Sequence, residues 1–359
     1  MPPKLLDDRV RFHLDPDRLR APDEVGSAGI PGAGEVTGVA LQCDRAVAGS
    51  REFRREGTAW VLDLPRPRLQ RLEYRFAVAR GDSVEVVLDP ANPVTVPTAF
   101  GDRSVLELPG YAPPWWLSAP VVPGRAAVTS LAGETADEVP VTVWCPRDLP
   151  DDEAAPLLLV HDGPEYDQLA RITTYCAALV ADGRLPPHRV ALVHPVVRDA
   201  WYSGSPQYLR TIADAGLDRL GERYAVRAPV VVVGASLGGL TALLLGLLAA
   251  PRVGGVFSQS GSFFQVRHDD SESGYRYFGR ISRLVQSVLD MRHAEHPLTV
   301  GMSCGALEEN AANNRDMAAA LRRAGHDVTL REVPDLHNYT AWRDALDPGL
   351  TEVLQRVWA

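Results

Sequence analysis

The sequence predicts an α/β protein with a smaller β domain at its N-terminal end, and two observations lead to this prediction. In residues 1–120, short runs alternate apolar and polar side chains and are separated by Gly, Pro and Asp, which is typical of antiparallel strands. In residues 121–359, continuous apolar runs alternate with segments of helix length, which is typical of a parallel sheet covered on both faces. A chain of 359 residues is long enough for two such domains.

The N-terminal region predicts a small antiparallel β-sandwich. Its runs of period two are too short for helices, and turn residues separate them as they separate the strands of a sandwich. These runs lie at residues 35–41, 59–64, 72–78 and 83–89.

Proline and aromatic residues are concentrated in residues 109–124, where the two patterns meet. We interpret this segment as an interdomain connector. Its Trp115 and Trp116 either pack the domains together or line a substrate entrance, and the sequence leaves both interpretations open.

The second region predicts strands and helices in alternation. The apolar, strand-like runs lie at residues 155–161, 189–195, 230–234, 298–302 and 328–333. The predicted helices lie at residues 166–182, 207–224, 237–250, 275–290, 310–324 and 340–357. We therefore expect a mainly parallel sheet between two helical layers.

Composition narrows the class of partner. A net charge of −9 argues against nucleic acid, because phosphates require a basic surface. The longest apolar run, 240–250, is shorter than the roughly 20 residues of a membrane span, and the first residues lack the apolar stretch of a secretory signal.

The four cysteines are scattered, which fits reduced thiols in a cytoplasmic protein. No ligand spacing or phosphate loop is present, so we expect no metal and no cofactor.

The sharpest motif is Gly-Ala-Ser-Leu-Gly at 234–238, directly after an apolar strand and directly before an apolar helix. G-x-S-x-G in this context is typical of the nucleophile elbow of the α/β-hydrolase fold, where small residues allow the tight turn that exposes the serine. The alternative is a glycine-rich turn whose serine only caps the helix. We predict Ser236 as the nucleophile and the Leu237 N–H as the first oxyanion donor.

A serine nucleophile needs a base and an acid, which follow it in the chain in this fold. His337 is the predicted base, because it follows the last strand and a turn and precedes the C-terminal helix. The acid is expected after the strand at 298–302. We favour Glu308 over its neighbour Glu309, with Asp335 as the fallback.

With these residues in place, the chain resembles the enterochelin esterase-like family, within the esterase D branch of α/β hydrolases. The resemblance spans nearly the whole chain. It is carried by VGASLGG at 233–239, FSQSGS at 257–262, GALE at 305–308, NN at 313–314, HNYTAWR at 337–343, HDG at 161–163, RDAWY at 198–202, DPANP at 89–93 and SVLELPGY at 104–111.

The resemblance implies an immunoglobulin-like N-terminal domain and hydrolysis of carboxylic esters, with catecholate siderophore trilactones as the family's named substrates. It also implies Ser236, Glu308 and His337 as the triad, and a second oxyanion donor in the loop after the strand at 157–161. Pro164 has no N–H, which leaves three alternatives open: Gly163 supplies the donor, the oxyanion hole is weaker, or a side chain such as Tyr166 stands in. Gly163 is the candidate that we name.

A small-molecule ester or lactone is the expected partner, and the oligomeric state is left open. Candidate substrate-binding residues offer a cation or an aromatic face, and they are Arg198, Tyr202, Trp115, Trp116, Phe263 and Tyr166. Two rival functions stay open at this point. One is an acyltransferase or cyclising esterase of the same fold in natural-product metabolism, and the other is a non-catalytic siderophore-binding protein.

Overall fold

The structure is a computed structural model, and it describes residues 2–19, 35–131 and 138–359. The chain divides into two units. The N-terminal unit comprises Met1–Ala112 with Pro334–Leu336, and the C-terminal unit comprises Pro113–Val333 with His337–Ala359.

Antiparallel strands form the described part of the N-terminal unit. They are β1 Lys4–Leu5, β2 Arg9–Leu14, β3 Gly38–Gln42, β4 Arg54–Glu56, β5 Ala59–Pro65, β6 Arg71–Arg80, β7 Ser83–Val87, β8 Thr95–Val96 and β9 Arg103–Glu107. One sheet has the order β1-β2-β5-β4, and the other has the order β3-β6-β9-β8 with β7 also paired to β6. The sequence analysis predicted β3, β5, β6 and β7 and missed the other described strands of this unit, of which β2 and β9 are the longest. The immunoglobulin-like type stays a prediction.

Aromatic rings fill the core between strands of the two sheets. The Phe12 ring of β2 packs edge-to-face on the Tyr74 ring of β6 at 5.1 Å, and Phe53 packs in the same way on Phe76 at 5.3 Å. Alternate residues of β6 point into this core, so its period-two pattern has a direct structural cause.

An eight-stranded sheet lies at the centre of the C-terminal unit. Its strands are β10 Gly124–Leu131, β11 Val139–Pro146, β12 Ala155–Val160, β13 Arg189–Val193, β14 Val226–Ala235, β15 Val253–Gln259, β16 Thr299–Gly305 and β17 Asp327–Val333. The order is β10-β11-β13-β12-β14-β15-β16-β17. β11 pairs antiparallel with β10 and β13, and the remaining neighbours pair in parallel.

Helices cover both faces of this sheet. They are α1 Gly163–Ala170, α2 Ile172–Ala181, α3 Arg198–Tyr202, α4 Pro206–Thr211, α5 Leu217–Tyr224, α6 Leu237–Ala249, α7 Phe278–Leu289, α8 Ala311–Ala324, α9 Tyr339–Asp344 and α10 Leu346–Trp358. Val230 and Val232 of β14 join the core beneath α6, α7 and α8, whereas Val231 and Val233 join the core beneath α2 and α10. A strand buried on both faces must be apolar throughout, which is why β14 reads as a continuous valine run.

Three predicted helices are interrupted. Residue Arg171 has a positive φ of 57° and separates α1 from α2. The predicted helix 207–224 consists of α4 and α5 joined by a π-helical turn at Ile212–Gly216, and 340–357 consists of α9 and α10. None of the helices in the described parts of the chain is both long enough and apolar enough to cross a bilayer.

Candidate active site

Ser236 occupies a sharp turn between β14 and α6. Its backbone has φ 56° and ψ −124°, a conformation that costs a non-glycine residue ~1–3 kcal/mol. The surrounding backbone holds it there, because the Ser236 N–H donates to the Gln259 carbonyl at 2.9 Å and the Ser262 N–H donates to the Ser236 carbonyl at 3.0 Å. The turn therefore presents the serine hydroxyl at the C-terminal edge of the sheet.

The flanking glycines explain why this turn can close. A Cβ on Gly234 would lie 2.2 Å from the Gly238 carbonyl oxygen, and a Cβ on Gly239 would lie 2.7 Å from the Ser258 hydroxyl. Larger residues would force the strand and the helix apart. Leu237 begins α6, so its N–H belongs to the first turn, whose amides have no partner within the helix and carry the positive end of the helix dipole.

Ser236 and His337 line one cavity of about 190 Å³. The other residues lining it are Leu237, Ser262, Phe264, Glu272, Tyr275, Glu309 and Asn310. The Ser262 hydroxyl lies 3.2 Å from the Ser236 hydroxyl. The cavity is thus a small chamber with an aromatic side, and the serine and the histidine both line it.

Glu308 is the carboxylate that contacts His337. Its Oε2 lies 3.5 Å from the His337 Nδ1, which is within ion-pair distance and longer than a direct hydrogen bond. The Glu308 side chain is only 1% exposed. Glu309 is exposed and lines the cavity, whereas Asp335 accepts a hydrogen bond from the Leu336 N–H inside the N-terminal unit.

Two donors satisfy the Glu308 carboxylate. The Cys304 thiol donates to Oε1 at 2.6 Å, and the Ser260 hydroxyl donates to Oε2 at 3.1 Å. Burial, followed by the charge of Glu308, raises the pKa of the Cys304 thiol, so the thiol stays protonated and can donate. The Trp342 indole N–H donates to the Ser260 hydroxyl at 2.9 Å, and its ring packs edge-on against the His337 ring at 5.1 Å.

The end of β12 lies beside the serine turn. A Cβ built on Gly238 would lie 3.3 Å from the Asp162 carboxylate. Asp162 has a positive φ of 53° and is held by two bonds of 2.8 Å from the Arg198 guanidinium. Gly163 begins α1 so close to Leu192 that a Cβ would lie 2.4 Å from the Leu192 backbone. Glycine is therefore required at this position by close packing.

Among the described residues, no group of three or more His, Cys, Asp and Glu side chains could hold a metal ion.

Comparison with models of protein families shows the family of this chain. The model of the Esterase family, described as "Putative esterase", matches residues 132–353. The chain belongs to the Esterase family. Together with the relatives described next, this match bears out the predicted resemblance to the enterochelin esterase-like family.

The curated relatives described here are both named iron(III) enterobactin esterase. This chain is 29% identical to the iron(III) enterobactin esterase of Dickeya dadantii over 221 residues, which cover 55% of this chain and 48% of that relative. It is 25% identical to the iron(III) enterobactin esterase of Escherichia coli O6:H1 over 289 residues, which cover 76% of the chain and 68% of that relative. The matched region thus spans about half the length of the Dickeya relative.

A solved structure shares the fold. The crystal structure of ferric enterobactin esterase from Salmonella typhimurium matches with a TM-score of 0.76 at 20% identity, over 99% of this chain and 96% of that chain. The predicted mixed α/β class is therefore confirmed.

Four of the predicted substrate-binding side chains are fully buried. Tyr166, Tyr202, Phe263 and Trp116 are each 0% exposed. The Tyr166 hydroxyl donates to the Gln259 side chain at 2.7 Å. All four side chains pack in the protein interior and offer no surface to a ligand. For Trp116, packing was one of the two interpretations that the sequence left open.

The two remaining candidates lie outside the cavity lining. Trp115 is 41% exposed and donates from its indole N–H to the Asp347 carboxylate at 2.7 Å. Arg198 lines a neighbouring groove that shares Tyr275 with the cavity. Sequence reasoning missed Tyr275 as a lining residue. It noted the Phe-Phe pair at 263–264 as suited to an aromatic acyl group and chose Phe263, but Phe264 is the ring that lines the cavity, because sequence does not tell which of two adjacent rings is buried.

Proposed function

We propose that this chain is a serine carboxylic-ester hydrolase that acts through an acyl-enzyme. Ser236 is the nucleophile, His337 is the general base and Glu308 orients the base. The observation that carries the proposal is the shared cavity: a strained serine and a histidine face the same chamber, and a buried carboxylate lies 3.5 Å behind the histidine. The serine turn and the strand order also support assignment of the C-terminal unit, predicted as residues 121–359, to the α/β-hydrolase fold.

The first half of the reaction forms the acyl-enzyme. His337 takes the proton from the Ser236 hydroxyl as its oxygen attacks the ester carbonyl carbon, and the carbonyl oxygen becomes an oxyanion. The Leu237 N–H and the Gly163 N–H are assigned as donors to this oxyanion. The C–O bond to the alcohol then breaks, and the protonated His337 gives its proton to the leaving alcohol.

The second half releases the acid. His337 takes a proton from water as the water oxygen attacks the acyl carbon, and the resulting imidazolium returns the proton to the Ser236 oxygen as it leaves. The Glu308 carboxylate orients the His337 ring and stabilises the imidazolium that forms. Its distance of 3.5 Å in the free protein must shorten for a direct hydrogen bond, as catalytic contacts often do when substrate binds.

A siderophore-type ester or lactone is the proposed substrate class. The curated relatives are named iron(III) enterobactin esterases, and the rings of Phe264 and Tyr275 in the cavity suit an aromatic acyl group. The net charge of −9 fits a small-molecule partner better than nucleic acid. The free thiols Cys43, Cys145, Cys176 and Cys304 fit a reducing compartment such as the cytoplasm.

Product analysis tests this proposal. The purified chain is incubated with ferric and iron-free enterobactin and with a simple aryl ester, with and without an added alcohol, and products are separated by liquid chromatography with mass detection. Free acid as the dominant product is the expected result. A new ester with the added alcohol would replace hydrolase by acyltransferase, and tight binding of intact ligand without turnover would replace it by a siderophore-binding protein.

A further inference from the structure

The hydroxyl of Ser260 lies at the centre of a chain of contacts behind the proposed catalytic pair. It accepts from the Trp342 indole N–H at 2.9 Å and donates to the Glu308 Oε2 at 3.1 Å. That oxygen is also the one 3.5 Å from the His337 Nδ1. The Trp342 ring also contacts the His337 ring edge-on, with 5.1 Å between the ring centroids, so Trp342 touches both ends of this chain of contacts.

The direction of this chain is fixed by chemistry. An indole N–H can only donate, so it occupies an acceptor position of the Ser260 oxygen and leaves the serine proton for another partner. The Cys304 thiol covers the other carboxylate oxygen of Glu308 at 2.6 Å. The buried carboxylate therefore has one internal donor on each oxygen, and the two hydrogen bonds fix its plane.

Ser260 keeps this position at a backbone cost. Its φ is 47°, a left-handed conformation that non-glycine residues rarely adopt. Its N–H donates to the Ser303 carbonyl at 2.7 Å, and the Asn310 side-chain amide donates to its carbonyl at 3.1 Å. Strain held by surrounding contacts is common where a side chain must be aimed. Here it aims the hydroxyl between Trp342 and Glu308.

We propose that Ser260 and Trp342 are positioning residues that hold the Glu308 carboxylate and the His337 ring in register for proton transfer. This inference rests on the proposed function. The indole fixes the serine proton on Glu308, and the same ring limits rotation of the imidazole. Neither side chain lines the cavity, so their effect on the reaction passes through the two residues they hold.

Steady-state kinetics of Ser260→Gly, Ser260→Ala and Trp342→Phe test the inference. Glycine accepts the left-handed backbone and alanine does not, but both lack the hydroxyl, so both should lose kcat alike while Ser260→Gly stays the more stable of the two. We expect kcat to fall roughly 10- to 100-fold, as for a lost hydrogen bond to a charged group, with KM nearly unchanged. Trp342→Phe keeps a ring beside His337 but loses the N–H, and should act in the same direction. Combined with Ser260→Gly, it should add little, because both break one chain.

Ser130→Ala is the matched control. Ser130 is a half-buried serine of the edge strand β10 whose hydroxyl has no hydrogen-bond partner among the residues that the structure describes, so its removal should leave kcat unchanged. Normal kcat in both folded Ser260 variants would overturn the positioning role while native turnover upheld the proposed function. A folded native chain with no esterase activity and no reactive serine would overturn both.

Discussion

At the scale of single residues, the structure separates two adjacent carboxylates that sequence alone could not. Glu308 points inward to His337 and to its two donors, whereas Glu309 is exposed at the cavity wall. The motif at 234–238 and the chain order predicted Ser236 and His337 and favoured Glu308 among three acids, and their catalytic roles stay predictions. They could not give the burial of Phe263 or Tyr166, because burial depends on packing between distant elements.

Glu308→Gln should therefore abolish most activity, and Glu309→Gln should not. An amide at position 308 cannot stabilise the imidazolium by charge, and we expect kcat to fall roughly 10³- to 10⁴-fold. The neighbouring variant should keep kcat within about threefold, as an exposed carboxylate outside the pair should. Burst and steady-state assays with one aryl ester measure both. The opposite ranking would assign the acid to Glu309.

At the scale of elements, the serine turn can close only because Gly234 has no side chain. The nearest atoms to a Cβ on Gly234 are backbone atoms of Gly238, at 2.2 and 2.3 Å, and backbone cannot rotate away. By contrast, a Cβ on Gly221 in α5 would meet nothing within 4 Å. A methyl group thus has room on Gly221 of α5 and has none on Gly234 at the end of β14.

Gly234→Ala should lower the free energy of unfolding by roughly 2 kcal/mol or more and should reduce activity, because the turn must open to accept the methyl group. Gly221→Ala should raise it by about 0.5–1 kcal/mol through helix propensity, with activity unchanged. Urea denaturation and ester turnover measure the two effects. Equal stability of both variants would contradict this account of the turn.

The elements also show where sequence patterns stop being informative. Five apolar strands and most helix positions were predicted because their sequence patterns are local. The buried strand β15 was missed, because its sequence VGGVFSQ is interrupted by glycines and polar residues. The break at Arg171 was not predicted, since it arises from capping: the Asp167 carboxylate accepts the Thr173 N–H in the first turn of α2 at 3.2 Å. β10 and β11 were missed because edge and antiparallel strands carry weaker apolar runs, as their partly exposed residues indicate.

At the scale of the whole molecule, two buried histidines link stability to pH. Burial lowers the pKa of His161 to about 3 and that of His188 to about 4. The Nε2 of each ring is buried without a hydrogen-bond partner in the described part of the chain, so a proton there would be unsatisfied. Both rings therefore stay neutral in the folded state.

Acid should therefore destabilise the protein below about pH 6.5, which is the pKa of histidine in the unfolded chain. Below that pH the histidines of the unfolded state bind protons and the two buried histidines of the folded state do not. The stability present at neutral pH is therefore lost as pH falls toward the folded pKa values. Each histidine contributes up to about 1.4 kcal/mol per pH unit in this range. Urea unfolding at pH 7.5 and 5.0 should show a smaller loss for His161→Phe than for the native chain, whereas exposed His296→Gln should keep the native difference. Equal losses in all three would contradict the buried neutral histidine.

Covalent labelling by a fluorophosphonate tests the central claim most directly, because the probe reacts with an activated serine whatever the natural substrate is. The native chain should be labelled at Ser236, as peptide mapping would show. Ser236→Ala should not be labelled, and His337→Ala should be labelled roughly 10³-fold more slowly or not at all. A folded native chain that stays unlabelled, or labelling that survives Ser236→Ala, would contradict the assignment of Ser236 as the nucleophile.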